Sequence, residues 1–155
     1  MSGISALAEI LYDILDAASH SQRGKAIERE VLALERLVDD LVVSDPSVQR
    51  TGLDSLHRGD ADLIYLSSVI QLDPRRVLAE AEREIGILGG TFGILEPTTE
   101  EVARFQAGTP TSSLRGWVFP SRGWVFLISA PDEVAVEAFA SLLDARLEAS
   151  EEAGS

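Results

Sequence analysis

Covalent or metal-assisted chemistry needs a nucleophile beside a base, a cluster of ligating side chains, or a backbone cradle for phosphate. Few residues in this 155-residue chain are of the right kind. It contains no cysteine, so thiolate nucleophiles, thiolate-bound zinc and disulfides are excluded. Of its two histidines, His57 opens the run His57-Arg58-Gly59-Asp60-Ala61-Asp62, and His20 has no comparable pair of carboxylates. A histidine near two carboxylates has the composition of a metal site. An aspartate in that position more often caps the helix that follows, and Asp60 is expected to do so. Serine lacks the Gly-x-Ser-x-Gly setting that activates it in hydrolases. The glycine-rich run Gly86-Ile87-Leu88-Gly89-Gly90-Thr91-Phe92-Gly93-Ile94-Leu95 has neither the spacing nor the lysine of a nucleotide loop. It reads as a helix stop at Gly86 and a two-residue hairpin turn at Gly89-Gly90. Carboxylates are abundant, and in so acidic a chain they read as a solvated face rather than as a glycosidase pair. The sequence therefore assigns no catalytic residue, no metal ligand and no cofactor site.

The residues that remain as candidates belong to one repeated motif. Arg-Gly-Trp-Val-Phe occurs at 115 to 119 and again at 122 to 126, and both tryptophans of the chain lie in it. Two aromatic and β-branched runs joined by Pro120-Ser121-Arg122-Gly123 read as a β-hairpin with a four-residue loop. That loop length sets Phe119 opposite Trp124, Val118 opposite Val125 and Trp117 opposite Phe126. Side-chain alternation then puts Trp117, Phe119, Trp124 and Phe126 on one face. A loop one residue shorter would divide the tryptophans between faces. Four rings on one face form either a core surface covered by a helix or an exposed platform for a ligand. Arg115 and Arg122 flank the rings and are the candidate anion holders of a pocket at that face.

A formal charge of −13, from 26 acids against 13 bases, opposes binding to nucleic-acid phosphates and suits a basic or apolar protein partner. The start of the chain has no basic segment, and Glu9, Asp13 and Asp16 interrupt its apolar residues. No signal peptide, membrane anchor or spanning segment is expected, and the protein is expected to be cytoplasmic.

Periodicity predicts the elements that would position these residues. Ile4, Leu7, Leu11, Ile14 and Leu15 have helical spacing over about 2 to 18. Ile27, Val31, Leu34, Val38 and Leu41 form a seam that suits antiparallel pairing with that first helix or a homodimer. Pro46 ends this second helix, and 47 to 60 read as irregular. Leu63, Ile64, Leu66, Val69 and Ile70, the turn at Leu72-Asp73-Pro74, and Val77, Leu78, Ala81 and Ile85 read as two helices with a tight turn. The second carries Arg75, Arg76 and Arg83 against Glu80, Glu82 and Glu84, without the basic footprint of a recognition helix. Thr98-Thr99-Glu100-Glu101 reads as a capping box for a short helix with Val102 and Phe105. Pro131, Asp132 and Glu133 open a final amphipathic helix that frays after Glu151.

Phe92-x-Ile94-x-x-Pro97 with Val102 and Phe105 is echoed 34 residues later by Phe126-x-Ile128-x-x-Pro131 with Val136 and Phe139. The echo suggests two hairpin-helix units. The fold class expected is thus α+β in a single domain over 1 to 155. A helical section, 1 to 85, is followed by a small antiparallel sheet of about four strands over 86 to 150, with helices on one face. This order of elements is similar to that of secretion-chaperone domains, carried by no diagnostic motif and with a longer helical start. The function expected is a non-enzymatic acidic interaction protein of adaptor, chaperone or inhibitor type, acting as a homo-oligomer. The alternatives are a small-ligand sensor or enzyme with a pocket beside the aromatic face, and a helix-turn-helix regulator.

Overall fold

A computed structural model describes residues 28–67, 74–95, 102–119 and 124–154. Within them a seven-stranded antiparallel sheet carries helices on both faces. The elements are α1 (Glu28–Ser44), β1 (Val48–Gly52), β2 (Ser55–Arg58), β3 (Ala61–Ser67), α2 (Pro74–Ile87), β4 (Thr91–Ile94), β5 (Ala103–Thr109), β6 (Ser112–Phe119), β7 (Trp124–Ala130) and α3 (Glu133–Gly154). Spatial order across the sheet is β1-β2-β3-β7-β6-β5-β4. The expected helix over 2 to 18 lies outside the described residues.

The β6–β7 ribbon has the register read from its sequence, with Phe119 opposite Trp124, Val118 opposite Val125 and Trp117 opposite Phe126. One face of the sheet therefore presents Trp117, Phe119, Trp124, Phe126 and Ile128. They are buried beneath α1 and α3 together with Leu34, Leu37, Val38, Leu41, Val136, Phe139 and Leu143. The apolar seam of α1 is thus used inside the subunit, against α3 and β1. The opposite face presents Ile64, Phe105, Leu114, Val118, Val125 and Leu127 to Val77, Leu78, Ala81 and Ile85 of α2. The tip of the Phe105 ring sits against Gly116, where an added Cβ would lie 2.2 Å from it.

Several expectations are corrected. The sheet has seven strands rather than about four, and its helices cover both faces rather than one. Three of those strands arise within 1 to 85. Residues 47 to 60 are β1, β2 and their turns, and Ala61–Ser67 is a strand where a helix capped by Asp60 was expected. Short apolar runs do not distinguish helix from strand by periodicity. Here Ala61, Leu63 and Tyr65 pack under α1 and α3 while Ile64 packs under α2, so both faces are buried. The turn Gly59-Asp60, with Gly59 at φ 59°, is a two-residue hairpin connection whose first residue takes a left-handed conformation. With a strand in place of its first helix, the helix-turn-helix arrangement is absent among the described residues.

Gly89-Gly90 is a helix cap instead of a hairpin turn. Gly89 has φ 74°, Gly90 N donates to Ile85 O at 2.9 Å and Gly89 N to Gly86 O at 3.0 Å. Those two bonds close a Schellman motif that delivers the chain into β4. Val102 and Phe105, expected on a helix, lead into and lie on β5, which pairs with both β4 and β6. The 34-residue echo therefore relates a strand to a helix and is not a structural repeat. At the other end α3 starts as expected, with Asp132 Oδ1 accepting from Ala135 N at 2.8 Å, and it continues to Gly154.

Two glycines separate packing from backbone effects. Gly116→Ala is expected to cost about 3 kcal/mol in urea unfolding, because the methyl group must displace Phe105 from the core. Gly86→Ala in α2, where an added Cβ meets nothing within 4 Å, is expected to add about 0.5–1 kcal/mol by reducing the freedom of the unfolded chain.

Candidate functional site

The four rings singled out in the sequence are core. Trp117 and Trp124 are each 1% exposed, and Phe119 and Phe126 lie with them. Phe119 meets both Trp124 and Phe126 edge-on, at centroid distances of 6.0 Å, the geometry favoured by aromatic quadrupoles. Arg122 falls outside the described residues. Arg115 remains, and it marks the place where this face of the sheet changes from apolar to polar.

That change follows from strand alternation. Gln106 on β5, Arg115 on β6 and Ile128 on β7 are aligned across the strands, and Arg104 is aligned with Trp117 one step along. Under the middle of α3 the row holds Trp117, whose indole N–H donates to Asp144 Oδ1 at 3.1 Å. Arg104 Nη1 reaches the same oxygen at 3.5 Å. Nearer the start of α3, Arg115 is ion-paired with Glu137 while its side chain is only 13% exposed. Burial pushes the Arg115 pKa down, Asp144 and Glu133 push it up, and Arg104 pushes it down. The guanidinium stays charged because it pairs with Glu137. Its Nε is buried without a hydrogen-bond partner.

Beside this seam a cleft of about 300 Å³ opens over the β4, β5 and β6 strands. Thr91, Gly93, Gln106 and Ser113 contribute to its floor, and Glu133 and Glu137 of α3 form its wall with Arg115 at the base. Gly93 and Gly108 leave the backbone of the floor accessible. Among the described residues the charged lining is therefore one arginine, already paired, against two carboxylates. Sequence reasoning found Arg115 but missed Arg104, Gln106, Glu133, Glu137 and Asp144 as its neighbours. Glu137 and Asp144 lie on a helix, 22 and 29 residues along the chain from Arg115, and no local pattern connects them.

A second polar row crosses the opposite face. His57 on β2, Asp62 on β3 and Ser129 on β7 are direct cross-strand neighbours. Ser129 is 1% and Asp62 8% exposed, and Ser129 Oγ and His57 Nδ1 are buried without hydrogen-bond partners. The composition is that of a nucleophile, base and orienting acid, but the order is wrong. The carboxylate sits in the middle, and two strand spacings hold His57 about 10 Å from Ser129. The imidazole has no route to the hydroxyl proton, which nucleophilic activation requires. Among the described residues no group of three or more histidines and acids gathers to hold a metal ion, and no helix is long and apolar enough to cross a membrane.

Compared with protein-family models, with curated proteins and with solved structures, the chain finds no match.

Asp62 gives a pH dependence of known sign. Burial raises its pKa above the ordinary value of 3.8, and the charge of His57 lowers it less. A carboxyl group whose pKa is raised on folding costs nothing when protonated in both states. It lowers stability as pH climbs through the folded pKa. Asp62→Asn is expected to stabilise the protein at pH 7 by on the order of 1 kcal/mol, with the gain vanishing below about pH 4, in thermal or urea unfolding across that range.

Proposed function

We propose that the protein is a non-catalytic, acidic interaction protein that binds a basic segment of a polypeptide partner in the cleft between α3 and the β4–β6 strands. The observation that supports this reading most directly is the cleft wall. Glu133 is exposed on the first turn of α3 and Glu137 follows one turn later, while Arg115 holds Glu137 from below. An arginine or lysine entering from solvent meets carboxylates at the rim and hydrogen-bonding groups from Thr91, Gln106 and Ser113 on the floor. The charge of −13 adds a long-range field that draws such a partner in. Catalysis has less support, since the row of described residues that holds a nucleophile, an acid and a histidine has them in an unproductive order. The partner would be met in the cytoplasm, where a chain without cysteine forgoes nothing.

A small-ligand sensor is the second reading. It rests on the buried guanidinium of Arg115, whose Nε has no partner, and on a cavity at the lower end of the size range of small-molecule sites. A carboxylate ligand would compete with Glu137 for that guanidinium.

Both readings are tested by titrating the full chain with fluorescent peptides of alternating arginine and valine, and with an alternating glutamate and valine control. Binding of the basic peptide alone is expected, weakening as salt is raised. Glu133→Lys is expected to reduce its affinity about tenfold by reversing a charge at the rim of the cleft. Failure of the basic peptide to bind at low salt overturns the proposal. A thermal shift with small carboxylates that Arg115→Gln abolishes would favour the sensor instead.

A further inference from the structure

The two edges of the sheet differ in how they are protected. β1, at one end, is interrupted by a bulge between Arg50 and Gly52. Its Arg50 is tied to Glu35 and Asp39 of α1 and donates to Tyr65 Oη at 3.2 Å. A bulge and an ion-paired side chain are the usual means by which an edge avoids pairing with another chain. β4, at the other end, shows none of these among the described residues. It pairs with β5 in unbroken register from Thr91 to Ile94. The nine residues from Ile87 to Leu95 that contain it include no proline and no charge.

The same nine residues carry four of the eight exposed large apolar side chains among the described residues, Ile87, Leu88, Ile94 and Leu95. Ile87 and Leu88 end α2 just before β4 begins, and Ile94 and Leu95 lie where β4 ends. An apolar pair therefore stands at each end of an uncharged strand that has no neighbour on its outer side among the described residues.

We infer that β4 is the self-association edge of this protein, pairing antiparallel with β4 of a second copy across a two-fold axis. Antiparallel pairing sets the start of one β4 against the end of the other. Ile87 and Leu88 of each copy then face Ile94 and Leu95 of its mate, which is the self-complementarity an isologous interface requires. Charge selects the same occupant. Two chains of charge −13 repel, and like charges set directly opposite each other across a strand pair are destabilising. A neutral edge is where such chains can meet without that cost. A basic partner has no electrostatic reason to choose this edge over the acidic wall of the cleft. Pairing would join two sheets into one of fourteen strands and bring the two clefts side by side, since Thr91 and Gly93 of β4 line each of them.

Light scattering on the eluting full chain should give twice the protomer mass of 16.7 kDa, with dissociation on dilution that salt does not promote. Ile94→Lys is expected to give a monomer with unchanged near-ultraviolet circular dichroism and an unfolding midpoint that no longer depends on protein concentration. Val43→Lys, at an exposed position on α1, should remain a dimer. Because the chain has no cysteine, an introduced thiol can only bridge to its own copy. Thr91→Cys, Gly93→Cys and Ile94→Cys are expected to yield an oxidised dimer in at least one case, and Leu53→Cys in none. A monomer at every concentration overturns the inference. So does a dimer that survives Ile94→Lys, one that falls apart as salt rises, or one bridged only through Leu53→Cys. Peptide binding in the cleft is read separately, so either idea can fail alone.

Discussion

Two indoles and two benzyl rings on one side of the β6–β7 ribbon determine what the rest of the chain must do. Trp117, Phe119, Trp124 and Phe126 share that side only because four residues separate Phe119 from Trp124, so that their registers coincide. A side chain of this size stabilises the fold by about 2–3 kcal/mol when fully buried. The layer therefore requires a roof. α3 supplies Val136, Phe139 and Leu143, and α1 supplies Leu34, Val38 and Leu41 alongside. The reverse side of the same ribbon offers smaller groups, Leu114, Gly116, Val118, Val125 and Leu127. Phe105 fills the space that Gly116 leaves and α2 closes the layer.

Where the aromatic row ends, the same alternation that built it places Arg115 and Arg104 on the buried face. Cationic groups in that position need partners, because an unpaired buried charge costs several kcal/mol. α3 meets the need with Glu137 and Asp144. Asp144 also accepts the Trp117 indole N–H, so one carboxylate joins the core to the polar seam. The cleft begins just past this seam. Its chemistry is a consequence of how the core stops, with a helix that must carry acids for structural reasons and shows two of them to solvent.

The edges of the sheet complete the picture. β1 is held by Arg50, whose contacts to α1 and to Tyr65 also anchor the turn where Tyr65 Oη donates to Leu53 O at 2.8 Å. β4 is short and neutral, and it is the strand that shares a floor with the cleft. Binding and assembly would therefore act on adjacent parts of one sheet, so that a change at β4 is felt at Thr91 and Gly93.

The β6–β7 hairpin with its register, the start of α3 at Pro131-Asp132, the apolar stripes of α1 and α2, and the acidity of the chain were all legible in the residues alone. Each rests on interactions within a few residues: a loop length, a cap, or a helical repeat. Local pattern misread Ala61–Ser67 as helix, because a strand buried on both faces loses the alternation that would reveal it, and it misread Val102 to Phe105 as helix because Thr98-Thr99-Glu100-Glu101 resembles a capping box, although Ala103, Phe105 and Ala107 are buried in alternation with Arg104 and Gln106. It also misread Gly89-Gly90, since a left-handed glycine serves a helix cap as well as a hairpin. That β3 lies beside β7 and β5 between β4 and β6, which makes seven strands of an expected four, became visible in the folded chain. The same long-range pairing brought Glu137 to Arg115 and Asp144 to Trp117. Contacts between residues far apart in the chain depend on which strands become neighbours, and strand order is set by packing the whole core at once rather than by any local stretch of residues.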